Sequence, residues 1–145
     1  MIKSVNQIAK AMKDYYGADE QKVRHFVSVY TLSKTIGELE KLPSITQEYL
    51  EIASLMHDID NIEKAKDIMK TNEVDDEVLE RVAFVIEHFN DLDHITGLDH
   101  QILLEAHYIV DFKEQRTPRL EIINCANTRF MTNYGKAFLK KAFNI

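Results

Sequence analysis

The residues in this chain best suited to chemistry are its imidazoles and the carboxylates beside them. Six histidines occur in 145 residues. His57 and Asp58 are adjacent and close an apolar run that carries Leu50, Ile52, Ala53, Leu55 and Met56. An aspartate at the end of a buried helix costs free energy unless it is paired or bound to a cation. A single His-Asp dipeptide is more often a helix-end aspartate on backbone amides beside a satisfied core histidine. Two further positions shift that balance. His25 shares an apolar stripe with Val29, Leu32 and Ile36, and His107 lies within Leu104-Glu105-Ala106-His107-Tyr108-Ile109-Val110. Asp111 stands one turn past His107, on the same helix face. Three helices thus each present a metal-type donor from an apolar side. Imidazole with carboxylate suits a divalent transition metal. A ferritin-like di-metal bundle needs Glu-x-x-His pairs, and no histidine here has a glutamate three residues before it.

The remaining candidates are weaker. His94 and His100 flank a polar loop, Asn90 to Gly97, and are expected to be exposed. Asp91-Leu92-Asp93 reads as a solvated acidic turn, because the rest of a calcium-loop pattern is missing. Lys22, Arg24, Arg81, Arg116 and Arg119 can contact phosphate, but for each a solvated surface role is the commoner outcome. Lys140 and Lys141 read as a solvated helix tail. No glycine-rich phosphate loop is present. The single cysteine, Cys125, sits in Ile122-Ile123-Asn124-Cys125-Ala126 and is expected to be a buried structural thiol.

The elements that must carry these groups are predicted to be helices throughout. Apolar residues recur at a period of 3.6 in almost every segment. Only four Gly and two Pro occur, too few for an all-β chain with many tight turns. Val5, Ile8, Ala9 and Met12 define a first helix, with Ser4 as its cap and Gly17 as its stop. A second runs from about Asp19 to Glu40. Leu42-Pro43 breaks the pattern, and Ser44-Ile45-Thr46-Gln47 reads as a capping box before the apolar helix Tyr49 to Met56. Asp60 is placed to cap a short helix with Ile62, Ala65, Ile68 and Met69. Asp75 or Asp76 opens the next helix, which carries His88 near its end. Leu98 to about Gln115 is another. Thr117-Pro118 has the form of a cap followed by proline at the first helical position, and the tail helix runs from Arg119 to about Phe130, continuing after a break near Gly135 to Phe143. The sequence therefore predicts an all-α, compact bundle of about seven helices forming one domain over residues 1–145, with a four-helix bundle plus short helices as the alternative.

Composition limits the partners. Hydrophobic residues at 45% support a packed core, and a net charge of −6 does not offer the surface that nucleic-acid polymers need. One cysteine fits a reducing compartment. No apolar run approaches the roughly 18 residues of a membrane span, and the N-terminus lacks a continuous apolar segment. The expected location is cytoplasmic, with no membrane partner.

Taken together, these residues resemble the HD-domain metal-dependent phosphohydrolases. The stretch Lys22-Val23-Arg24-His25-Phe26-Val27-Ser28-Val29-Tyr30 looks like that family's first-histidine helix. Leu50 to Ile59, containing His57-Asp58, looks like its His-Asp helix. Gly97 to Ala106 is similar to the run into its last ligand. The resemblance spans roughly residues 20 to 135 and implies an HD-like helical fold. It implies one divalent ion (Fe, Mn, Ni, Co, Zn or Mg) held by His25, His57, Asp58 and His107. Asp58 would also orient an attacking water, and His88 would act as general acid or hold a phosphate oxygen. The implied substrate is a nucleotide or small phosphate ester, and a homodimer is left open. The chain departs from the family at four places, one of them the short connection from Asp58 to the helix at Asp76. His107 stands where an aspartate is usual, with Asp111 as the alternative ligand. Asp60 replaces a glycine. Glu87-His88-Phe89-Asn90 retains one histidine of a cluster. A domain that binds a ligand or partner without turnover is therefore the second reading.

Overall fold

Two helices of this chain are buried all round over part of their length, and the others are arranged to cover them. The computed structural model describes residues 2–145, with side chains from Ser4 onward. Among the described residues it is all-α, with eight helices and no strand: α1 (Ile2–Tyr16), α2 (Glu20–Leu39), α3 (Ser44–Met56), α4 (Ile62–Thr71), α5 (Asp76–Glu87), α6 (Gly97–Gln115), α7 (Arg119–Arg129) and α8 (Asn133–Phe143). In α3 the six residues Ile52 to His57 are buried without interruption, and in α6 so are the eight from Asp99 to Ala106. A helix with no solvated face has to lie inside the molecule. Accordingly α3 packs on α1, α2, α5 and α6, while α6 packs on α2, α3 and α8. Phe26, Met56, Val82, Leu103 and Met69 belong to the resulting core. A smaller apolar cluster, Ile109, Phe112, Ile122, Phe130 and Leu139, joins α6 to α7 and α8.

Local chemistry sets the ends. The Asp19 side chain accepts from the Lys22 amide at 3.2 Å and starts α2, as an N-cap aspartate should. The α2–α3 crossing is close because residue 37 is glycine: a Cβ there would collide with the Gln47 and Leu50 side chains. Several predicted caps move by one residue. Pro43, not Ser44, precedes α3, and Gln47 bonds the Lys34 carbonyl and Glu51 instead of closing a capping box. Asn61, not Asp60, caps α4, its side chain accepting from Glu63 and Lys64 amides. Pro118, not Thr117, is the cap position of α7. Ser4 lies inside α1.

The predicted tail helix is two helices, which makes eight in place of seven. The break falls at Phe130–Thr132, earlier than Gly135. Phe130 turns extended (φ −89°, ψ 127°) to bury its ring, and the Thr132 hydroxyl then caps α8 by accepting from Gly135 N–H at 3.0 Å. Gly135 is not a breaker. It lies in the first turn of α8, where a Cβ would strike the Glu105 carboxylate. That carboxylate is fully buried in α6. It accepts from the amides of Met131 (2.8 Å) and Thr132 (3.0 Å), from the Thr132 hydroxyl and from Gln101 Nε2 (2.7 Å). With four donors on its two oxygens, the buried carboxylate is well satisfied, and it ties the α7–α8 turn to the centre of the fold.

This clip generates a stability prediction. Glu105→Ala strands several buried donors, so the unfolding free energy should fall by about 3 kcal/mol, while Glu105→Gln should lose less. Urea denaturation followed by circular dichroism measures both. An unchanged midpoint in Glu105→Ala would show that the α7–α8 turn does not depend on this carboxylate.

Candidate metal centre

Helices α2, α3 and α6 deliver one histidine each to a common point. His25 lies in the second turn of α2, on the same buried side as Phe26, Val29 and Ser33. His57 is the C-cap of α3, and Asp58 follows it where the chain leaves the helix. His107 lies midway along α6, just past its fully buried stretch. The ring centroids are 5.4 Å apart for His25 and His57, 5.6 Å for His25 and His107, and 5.2 Å for His57 and His107. One donor atom from each of His25, His57, Asp58 and His107 lies within 4.8 Å of the others. These are the four residues that the sequence puts forward as a ligand set.

The hydrogen bonds around His57 decide which nitrogens are free. His57 Nδ1 is 2.8 Å from the Ser54 carbonyl oxygen. A carbonyl can only accept, so Nδ1 carries the proton and Nε2 presents a lone pair. That Nε2 is buried and receives no hydrogen bond. Burial holds the pKa of this ring below its ordinary 6.5, and the neutral form persists near neutral pH. Nε2 faces Asp58 Oδ1 at 3.5 Å. Two lone pairs therefore confront each other in a desolvated place. The other oxygen, Asp58 Oδ2, is 3.3 Å from His25 Nε2. His25 Nδ1 points away from the cluster and meets Glu114 Oε1 at 2.9 Å. His107 Nδ1 stands 3.3 Å from Asp111 Oδ2. Its pKa is pushed down to about 3, first by burial and then by the neighbouring His57 and His25.

The surroundings are acidic on the open side and apolar on the closed side. A cleft of about 450 Å³ exposes His25, Asp58 and His107, and its lining adds Asp19, Gln21, Lys22, Asp111 and Glu114. Lys22 is the one cation among these lining residues and lies over the Tyr16 ring at 5.6 Å. Four carboxylates against one ammonium favour a cation in the cleft. Burial raises the pKa of Asp111. Behind the cluster, the Phe89 ring packs on His57 (5.6 Å) and His107 (5.0 Å). The Tyr16 hydroxyl is buried without a partner, and burial with the nearby Asp58 charge pushes its pKa up to about 12, so it remains a donor.

Other sequence candidates lie elsewhere. His88 caps α5 with its ring edge on Phe84 at 4.2 Å, and it lines neither the cluster nor the cleft. His94 is exposed beside Asp91. His100 is fully buried, against the expectation of exposure, because it belongs to the stretch of α6 from Asp99 to Ala106 that is buried throughout; its Nδ1 accepts from the Thr96 amide at 3.3 Å. Arg81 is committed to both oxygens of Asp99 and to Thr96, and Arg119 to the Phe143 and Asn144 carbonyls. Arg24, Arg116, Lys140 and Lys141 are exposed. Asp60 is exposed and accepts from the Tyr15 hydroxyl at 3.5 Å. Cys125 is half-buried rather than buried, with its thiol pKa raised to about 11 by the burial it has.

Sequence reasoning missed Glu114, Phe89 and Tyr16 as parts of the site. The spacing held a signal for one of them. Positions 107, 111 and 114 share a helix face, so a face that carries a ligand at 107 brings Glu114 to the same side. No protein-family profile, curated protein or solved structure matches the chain. No helix among the described residues is long and apolar enough to cross a membrane.

The buried imidazoles make metal-free stability depend on pH. Unfolded histidine takes up a proton near 6.5, whereas folded His107 resists until about 3 and folded His57 is also depressed. Between those values the unfolded chain binds more protons, so stability is full above about pH 6.5 and falls as pH drops. Thermal unfolding of chelator-treated protein between about pH 7.5 and about pH 5 should show this decline. His107→Gln should flatten it. A melting temperature constant across the window would mean that the folded rings take up protons as readily as those of the unfolded chain.

Proposed function

We propose that His25, His57, Asp58 and His107 bind one divalent transition-metal ion, and that the domain is a metal-dependent phosphohydrolase acting on a nucleotide or small phosphate ester. The observation that carries the metal reading is the His57 Nε2 lone pair, buried, unpartnered and facing the Asp58 carboxylate. A proton could relieve one such pair, but a cation relieves His57, His25, His107 and Asp58 at once. Neutral imidazole and carboxylate are the ligand types that Fe, Mn, Co, Ni and Zn accept. Such an ion supplies Lewis-acid chemistry, acidifying water toward neutral pH and offsetting charge on phosphoryl oxygens.

The chain's own groups have matching tasks. Asp58, about one-third exposed, reaches both the cluster and the open cleft. It is placed to accept a proton from a water entering there. Lys22 at the rim offers a positive charge to a phosphate oxygen. Phe89 closes the back of the site and keeps bulk water from His57 and His107. His88, outside the cleft, receives no catalytic role in this reading. The phosphoester preference rests on the likeness of the His25 and His57-Asp58 helices to the HD-domain family.

A second reading, a metal- or ligand-binding HD-like domain without turnover, is favoured by two features. Phe89 stands where a further imidazole would enlarge the ligand set. The cleft has one lysine among four carboxylates, which is poor for holding a polyanion.

Three tests follow. His57→Ala and Asp58→Ala should each abolish or severely weaken metal binding in Co²⁺ or Mn²⁺ titrations, and wild-type affinity in both variants would remove the proposed site. His107→Ala should weaken binding much more than Asp111→Ala, and His107→Asp should retain it; loss in Asp111→Ala alone would make Asp111 the ligand. Metal-loaded protein should hydrolyse at least one member of a panel of nucleotides and small phosphomonoesters, with activity lost in Asp58→Ala. Full metal loading with no hydrolysis across the panel would establish the second reading.

A further inference from the structure

We infer that Glu114 is a positioning residue that fixes the tautomer and ring orientation of His25. The inference rests on the cluster's binding a cation and not on turnover. His25 has two ring nitrogens with different partners. Nδ1 lies 2.9 Å from Glu114 Oε1, and Nε2 lies 3.3 Å from Asp58 Oδ2 inside the cluster. An ionised carboxylate only accepts, and each nitrogen of His25 faces one; the shorter contact, to Glu114, favours the proton on Nδ1 and leaves Nε2 turned inward toward the cluster. The same division recurs at His57, whose Nδ1 donates to the Ser54 carbonyl. His107 has a looser version, with Nδ1 3.3 Å from Asp111 Oδ2. All three imidazoles therefore have an oxygen beyond Nδ1, which leaves Nε2 as the common donor.

Metal-binding histidines commonly donate their second N–H to a carboxylate or carbonyl, which fixes the tautomer and raises ligand basicity. At His57 the backbone does this automatically, because Ser54 is one turn back in α3. At His25 the partner of Nδ1 is a side-chain oxygen from α6 rather than a backbone carbonyl. Glu114 supplies it across the α2–α6 packing, 89 residues away in sequence. Its side chain is 43% exposed, so it contributes little to the core, and a purely structural role is weak. Glu114 also has a second oxygen, and His25, Asp111 and Glu114 present donor atoms within 4.8 Å of one another. A direct ligand role is the rival that the test must separate.

The test has a metal-free arm and a metal arm. Nitrogen-15 NMR of the imidazole rings in chelator-treated protein should show His25 protonated at Nδ1 in wild type, and a shift toward the Nε2-protonated form in Glu114→Ala. Cobalt(II) titrations read by visible absorption should show Glu114→Ala binding about ten- to a hundred-fold more weakly than wild type. Glu114→Gln should fall between them, because its amide oxygen still accepts from Nδ1. Melting temperatures of both variants should stay close to wild type. An unchanged His25 tautomer with wild-type cobalt affinity in Glu114→Ala would overturn the proposal. So would complete loss of cobalt in both variants with the His25 tautomer intact, which would make Glu114 a ligand. A wild-type protein that takes up no cobalt would overturn the metal reading, while the tautomer arm would still decide whether Glu114 fixes His25.

Discussion

His57 donates its Nδ1 proton to the Ser54 carbonyl one turn back in α3, and the rest of the site is arranged around that bond. It leaves a basic nitrogen with no donor in a place closed to water. A neutral core histidine normally resolves such a position by finding a hydroxyl or an amide. Here the facing group is the Asp58 carboxylate, which has nothing to donate. The opposition of two acceptors is stable in a folded protein when something positive lies between them. His25 and His107 turn toward the same point, so the geometry accommodates a cation with four donors.

The fold explains how such an arrangement is held. Helix α3 is buried along its second half, which fixes the height of His57 relative to α2 and α6. Gly37 lets α2 approach α3 closely near Gln47 and Leu50, and about three turns away along α2 the His25 ring centroid lies 5.4 Å from that of His57. Glu105 plays the corresponding part at the far side of α6. Two residues before His107, it ties the α7–α8 turn to α6, the helix that presents His107, Asp111 and Glu114. The molecule thus contains two kinds of acid-containing cluster. The Glu105 carboxylate is fully buried and has donors on both oxygens. The Asp58 carboxylate, about one-third exposed, has no comparable set of donors, which suits its cluster to a cation.

Much of this was legible in the sequence. Helical periodicity gave the all-α class, and the histidines set in apolar stretches gave the residues that meet in space. What escaped had physical reasons. Lys41, Glu73, Arg116 and Asn144 take positive φ at or just beyond the ends of α2, α4, α6 and α8, where glycine is the usual sign. Helix ends written in such residues are difficult to read. The split at Phe130 depends on a ring burying itself in a cluster formed by three helices, a tertiary cause with no local signature. His100 was expected in solvent because it adjoins a polar loop, yet α6 is buried on all sides from Asp99 onward to Ala106. Glu114 lay on a readable helix face, but its partner is in α2, and only the packing of α2 on α6 joins them.

The central claim is that the opposed acceptors of His57 and Asp58 are a cation site. Elemental analysis of protein purified without an affinity tag or added metal tests it most directly. The account predicts roughly one divalent transition-metal ion per chain, as one four-donor set allows, either as purified or after exposure to Fe²⁺, Mn²⁺, Co²⁺ or Zn²⁺ and removal of excess. A protein that carries no metal and takes up none of these ions would contradict it.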